Sequence, residues 1–388
     1  MLAKAEKMLS GSIIPFWHGL RDDEAGGFYG FVGFNLELNK KAVKGCIQNS
    51  RILWFFSNAY LALGNGSCLE DAEHAYEFLR KRCIDSENGG VYWSVNYDGS
   101  AADSAKHTYN QAFAIYALSS YYEASKDKEA LDLAFEIFRL IESKCTDAGG
   151  YAESFDRAFK PVSNEKLSEN GVMAARTMNT LLHVFEAYSG LYHAKKNEEV
   201  EKCMRRILEV YASKVFNPLK NRLEVFFDEN MNSIIDLHSY GHDIEASWLM
   251  DWGTQLIGDG ALTAKISAIN SLLAQKIITT AYHDRSVWYE CDKGIDAKYR
   301  EWWVQAEALV GFLHEYQKHP EKKEFLDAAN DVMSYIEEFI VDKRKGSEWY
   351  ARVDDSGKPY ENQPIVQPWK CPYHNGRMCL EVLRRLKI

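Results

Sequence analysis

Two kinds of helical segment alternate along the chain. NSRILWFFSNAYLALG, YNQAFAIYALSSYYEAS and TMNTLLHVFEAYSGLYHA are apolar over most of their circumference. CLEDAEHAYEFLRKRC and KEALDLAFEIFRLIESK carry a narrower apolar stripe and a charged face. The first kind must be buried on all sides, and the second must cover it from outside. In each pair the more polar helix comes first, then a short aromatic run, then the more apolar helix. The runs are GGFYGFVGFNLEL from Gly26, GGVYWSVNYDG from Gly89, GGYAESFD from Gly149, RLEVFFDEN from Arg222, SVWYECDKG from Ser286 and EWYARVDDSG from Glu348. Their alternation of apolar and polar residues, bounded by Gly, Asn or Asp, predicts β-hairpins. They recur roughly every 60 to 70 residues, the spacing of a repeat architecture. Six such pairs predict an all-α fold, an (α/α)6 barrel of two concentric helical rings. The whole of residues 1–388 is read as one catalytic domain, with the hairpins on one rim at the N-termini of the inner helices. Unpaired N–H groups and a partial positive charge gather at that rim.

Composition narrows the function classes. The 388 residues are 46% hydrophobic, 26% charged and 13% aromatic, the balance of a folded globular protein. The net charge of −10 comes with no basic block, which argues against nucleic acid. The N-terminal stretch MLAKAEKMLSGSIIPFWHGL lacks a continuous apolar core, and no run approaches membrane-spanning length. The eight cysteines are scattered with no Cys-x-x-Cys pair and are read as reduced thiols. A cytoplasmic, monomeric protein is expected, with no membrane partner.

The polar residues near the start of each inner helix are the candidate chemistry. They are Asn49 and Arg51; His107, Tyr109 and Phe113; Arg176, Asn179 and His183; His238, His242 and Glu245; Trp302, Trp303 and Glu307; Trp369, His374 and Arg377. An inner wall that was only core would not need them. His242 and Glu245 are three apart and share a helical face, so the carboxylate is expected to fix the imidazole tautomer. Asn179 and His183 are four apart and share another. A lone histidine on an apolar face is ordinarily a packed core residue, but three at equivalent places in a radial repeat fit that reading poorly. His18, His74, His193, His283, His314 and His319 are expected on outer helices or loops. The inward histidines also allow a metal, although no His-Glu-x-x-His is present; no nucleotide-binding glycine motif and no Gly-x-Ser-x-Gly elbow occurs.

The segments FWHGLRDDEAGGFYGFVGFNLELNKKAVKGCIQNSRILWFFSNAY, HSYGHDIEASWLMD, WWVQAEALVGF and PWKCPYHNGRMCLEV closely resemble the cellobiose 2-epimerase family, within the N-acylglucosamine 2-epimerase superfamily. The resemblance runs over essentially the whole chain. It implies an (α/α)6 barrel that inverts C2 of the reducing-end glucose of β-1,4-linked disaccharides, without metal or nucleotide cofactor. It implies that His374 and His242 are the acid/base pair and that Glu245 supports His242. Arg51 and His183 would hold the reducing-end sugar, with Tyr109 and Phe113 on the pocket wall. Trp303 and Glu307 would be subsite residues, and Trp369 a platform for the second glucose. Three other readings remain open on sequence: an aldose–ketose isomerase of the mannose type, an inverting glycoside hydrolase using Glu245 and Glu307, and a non-catalytic sugar-binding scaffold.

Overall fold

The computed structural model describes residues 1–387. Its helices form six pairs. The outer members are α1 (2–18), α3 (66–83), α5 (Lys128–Lys144), α7 (198–215), α9 (Gly260–Thr280) and α11 (323–340). The inner members are α2 (Cys46–Leu63), α4 (Thr108–Ser125), α6 (Met178–Ala194), α8 (Tyr240–Ile257), α10 (Trp302–Lys318) and α12 (Tyr373–Leu386). Each inner helix packs on the next, and α12 packs back on α2, so the inner ring closes. The first outer helix, α1, lies against α12 and bridges the two ends of the chain. The fold is the (α/α)6 barrel that the alternation of wide and narrow apolar faces predicts. No described helix is long and apolar enough to cross a membrane. The eight cysteines are free thiols.

The two ends of the barrel are built differently. At one end the chain passes from inner to outer helix in two to four residues. Gly64, Lys126 and Gly258 adopt left-handed φ values of 67°, 64° and 78°, which ends the inner helix. Asn65, Asp127, Asn197 and Asp259 then cap the outer helix by accepting bonds from its first N–H groups. At the other end the connections are long and form a wide rim.

On the rim, a strand of two or three residues precedes five of the inner helices and pairs with the loop of the following repeat. Lys44–Gly45 pairs with Ser94–Val95, Lys106–His107 with Ser154–Phe155 and Arg176–Thr177 with Phe226–Phe227. Leu237–Ser239 pairs with Glu290–Asp292, and Arg300–Glu301 with Arg352–Val353. Val32 and Val366 exchange both backbone bonds at 3.1 Å and close the circle. The aromatic runs are therefore more broken than the expected hairpins. Their backbone groups divide between their own loop and the neighbouring repeat, so no run stays extended for long. Buried polar side chains in the first turn of several inner helices hold this rim down. Asn49, Gln111, Asp243 and Gln305 accept bonds from the N–H groups of Phe28, Val91, Leu223 and Val287 at 3.1, 2.7, 3.2 and 2.9 Å.

Close approach within the inner ring depends on small residues. A Cβ at Gly311 of α10 would lie 2.5 Å from the Ile244 side chain and 2.8 Å from its backbone oxygen on α8. Since backbone cannot yield as a side-chain tip can, Gly311→Ala is expected to destabilise the barrel by about 1–3 kcal/mol. Denaturant midpoints should show this, and an unchanged midpoint would mean that α8 and α10 are free to separate.

Candidate active site

A cavity of about 200 Å³ opens at the rim, where the first turns of α4, α6, α8, α10 and α12 converge. Its wall includes Arg51, Tyr109, Asn179, His183, His242, Glu245, Trp302, Trp303, Trp369 and His374, all of them singled out from the sequence. Phe113 and Glu307 stand one layer behind. Phe113 packs 4.1 Å under the Arg51 guanidinium and against the ring of His183. Glu307 is bonded to His374 and Trp248 and is sealed from the cavity. Its expected role as a residue touching sugar is therefore replaced by one behind a histidine.

The histidines come from three helices, and each has one ring nitrogen engaged. Nδ1 of His374 lies 2.8 Å from Glu307 Oε1, Nδ1 of His183 lies 2.8 Å from Glu186 Oε2, and Nδ1 of His242 lies 2.7 Å from Ser239 Oγ. In each case Nε2 is left for the cavity. His242 and His374 flank the indole of Trp303, with ring centroids 4.8 and 5.5 Å away. The expected pairing of His242 with Glu245 is corrected here. The serine that ends the preceding strand takes the imidazole, and Glu245 is turned down toward Arg377. The same three-residue spacing does hold between His183 and Glu186, a pair missing from the sequence reading although the rule applied to His242 would have found it. His193 and His314, expected on outer helices or loops, lie near the C-terminal ends of inner helices α6 and α10. There they pair with Glu123 and Asp251, because the far ends of the inner helices also carry polar groups.

Arg377 forms the floor. Its guanidinium bonds Glu186 and Glu307 at 2.6 Å each, Glu245, and the hydroxyl of Tyr373, all buried. One cation thus faces three carboxylates. Burial works against the charged form of Glu186, but Arg377 and His183 outweigh it and hold that acid below its ordinary range. Burial, with the charge of Glu307, pushes Glu245 up to about 7 against the pull of Arg377. Burial likewise pushes Glu307 up to about 7. The imidazoles move the other way. Burial, helped by the charge of His183, lowers His242 to about 3. Burial and the charges of Arg377 and Arg51 hold His374 well below its usual value. Burial thus disfavours charge on both members of the bonded pair of Glu307 and His374. Glu245, Glu307 and His374 are also close enough to hold a metal ion, but both glutamates are already bonded to a guanidinium.

Above the floor, Arg51 is fixed by the Tyr109 hydroxyl at 2.8 Å and by the rings of Phe113 and Tyr373 at 4.1 and 4.8 Å. Residues lining the cavity also keep unpartnered buried polar atoms, namely Arg51 Nε, Asn179 Oδ1, Glu245 Oε2 and Trp302 Nε1. Lys166, Glu169, Tyr289 and Glu290 complete the mouth. No sequence signal separates them from ordinary loop residues, because they reach the site from loops of other repeats.

Residues 15–375 match the family described as N-acylglucosamine 2-epimerase. The chain belongs to the N-acylglucosamine 2-epimerase family. Within it, the chain is 51% identical to a cellobiose 2-epimerase of Ruminococcus albus, over 99% of each sequence. A sugar epimerase from a ruminal bacterium superposes with a TM-score of 0.98 at 50% identity, covering 100% of this chain and 99% of that one. The cellobiose 2-epimerase of Bacillus thermoamylovorans B4167 superposes at 0.96 with 42% identity, covering 99% of both. Family membership makes this protein an isomerase-class enzyme acting on sugars.

The raised acids give a pH signature. A folded-state value near 7 for Glu245, against 4.5 when free, means that folding takes up a proton between those values. The resulting stability is present below about pH 4.5 and is lost as pH rises through about 7. Glu245→Gln, which mimics the protonated acid, should gain on the native protein as pH goes from 5 to 8. Denaturant midpoints across that range test it, and a gap that stays constant or moves the other way would rule out the raised value.

Proposed function

We propose that this sugar epimerase inverts C2 of the reducing-end glucose of β-1,4-linked disaccharides, converting cellobiose to glucosyl-mannose and lactose to epilactose. The whole chain acts as one catalytic unit. The observation that carries the reading is the placing of His242 and His374. They stand on two inner helices, on either side of Trp303 and facing one cavity, each with Nδ1 engaged and Nε2 free. A pair of this kind can deliver and remove protons on one sugar from two sides.

The chemistry runs in three stages. The pyranose opens when a proton reaches the ring oxygen and another leaves O1, exposing an aldehyde. The C2 proton is then acidic, and a neutral imidazole removes it to leave an enediolate spread over O1 and O2. Return of a proton to the opposite face of C2 gives the epimer, and ring closure restores the pyranose. His242 is held neutral and is ready to act as the base, and such help typically contributes about 10²–10⁴ in rate. His374 supplies the acid from Nε2, and as that proton leaves for the ring oxygen the one on Glu307 passes to Nδ1. Arg51 is preorganised by Tyr109 and Phe113 to meet the enediolate oxygens, and His183 with Asn179 orients the same end of the sugar. Trp369 lies at the mouth, with its ring 5.7 Å from Trp93 and 6.0 Å from Tyr109, and offers a stacking face for the second glucose.

His242→Asn and His374→Asn are each expected to lower turnover by about 10²-fold or more in folded protein. Glu245→Gln should cost less, since its carboxylate bonds Arg377 and does not carry the C2 proton. In heavy water the product from cellobiose should gain deuterium at C2 and not at C1, read by NMR. A ketose labelled at C1 would make the enzyme an isomerase, and free glucose would make it a hydrolase. Near-native activity in either histidine variant would end the two-histidine assignment.

Trp369→Ala should weaken use of cellobiose much more than use of free glucose or mannose, compared by kcat/KM. Equal losses on both would remove Trp369 from the second subsite.

A further inference from the structure

A second cavity of about 760 Å³ opens at the opposite end of the barrel, among the C-terminal halves of the inner helices. It is larger than the rim cavity and is separated from it by Arg377, which lines its inner end and whose Nε has no bonding partner. Its walls include Trp54, Tyr116, Trp248 and Trp252, with Asn58 and Gln255 toward the opening. The rings of Trp54 and Tyr116 are 5.5 Å apart, and those of Tyr116 and Trp252 are 6.5 Å apart. The wall is held in place at a cost in helix propensity. Gly190 sits in the buried interior of α6, where a Cβ would come within 2.6 Å of the Tyr116 ring. A glycine there costs roughly 0.5–1 kcal/mol relative to alanine.

Both carboxylates at this opening are already taken by cations, and the remaining lysines point elsewhere, Lys387 to Glu6 and Lys126 over the Tyr122 ring. Arg384 and Arg385 bond Glu381 at 2.8 and 3.1 Å, and His193 bonds Glu123 at 2.8 Å. A cationic ligand would have to break those pairs, and the cations Arg384, His193 and Lys387 stand exposed at the opening. Aromatic faces together with amide side chains and a phenol match the two faces of a sugar ring, whose C–H groups stack while its hydroxyls exchange hydrogen bonds. We propose that this cavity is a second, non-catalytic saccharide site that binds a neutral sugar. The site also touches the catalytic layer. Trp248 Nε1 donates to Glu307 Oε2 at 3.2 Å, and Glu307 Oε1 holds Nδ1 of His374 at 2.8 Å. A sugar resting on Trp248 therefore acts on the carboxylate that sets the proton of His374, so occupancy of the far end changes kcat at the rim.

The probe is methyl β-D-glucopyranoside, whose locked anomeric carbon cannot open and which is therefore not turned over. Its binding is measured by calorimetry on the full chain carrying Arg51→Ala and Trp369→Ala, which cripple the rim site; this arm involves no turnover and stands apart from the proposed reaction. Binding should persist in that protein and weaken at least tenfold when Trp252→Ala is added. Asn58→Leu provides a second, milder block of the same cavity. On the native enzyme at saturating cellobiose, the glycoside should change kcat, and Trp252→Ala should abolish that response while leaving the sugar-free rate unchanged. Loss of binding in the rim-crippled protein, or an affinity indifferent to both far-end substitutions, would show the cavity to hold only solvent. Far-end binding that leaves kcat untouched would overturn the link through Trp248.

Discussion

One guanidinium confronting three buried carboxylates governs the centre of this barrel. Three ionised acids around a single cation would leave uncompensated buried charge, and that is costly. The arrangement resolves the conflict by keeping Glu186 charged and raising Glu245 and Glu307 to about 7. Glu186 and Glu307 each hold a histidine by Nδ1, so the electrostatics of Arg377 reach the cavity through imidazoles. The same residue ties α12 to α6, α8 and α10. Removing one partner from such a cluster typically costs about 3–5 kcal/mol, so the chemistry and the stability of the inner ring rest on the same bonds.

The rim solves a different problem. Six repeats must be joined into a ring without a continuous sheet, and the chain does this by pairing the strand before one inner helix with the loop of the next repeat. Residues from different loops thereby reach one cavity. Lys166 and Glu169 come from one loop, and Tyr289 and Glu290 from another. The side chains that do the proposed chemistry sit instead on the first turns of helices, where backbone geometry is least free to drift.

Much of this was legible in the sequence, because helix periodicity reports burial directly. The wide apolar faces of α2, α4 and α6 mark them as inner helices, and polar residues at their starts mark the open end. Arg51, Tyr109, Asn179, His183, His242, Trp303 and His374 line the cavity for that reason. What periodicity cannot convey is which of two neighbours a buried side chain turns toward. Glu245 has the right spacing for His242, yet Arg377, more than 130 residues away in sequence, outcompetes an imidazole for it. Glu307 and Phe113 share helical faces with cavity residues but lie a turn deeper, and one turn is the difference between touching a ligand and supporting what touches it. His314 escaped for the opposite reason: its inner helix has a second polar end, where it meets Asp251.

The closure of the inner ring has a bearing on how the protein matures. α12 supplies both Arg377 and His374 and is synthesised after the other five inner helices. Until it docks, Glu186, Glu245 and Glu307 lack the guanidinium they share, and the ring lacks its seal against α2 and α1. A nascent chain halted before Tyr373 would hold most of the cavity wall but neither Arg377 nor His374. The helix that completes the ring is therefore also the one that completes the proposed site.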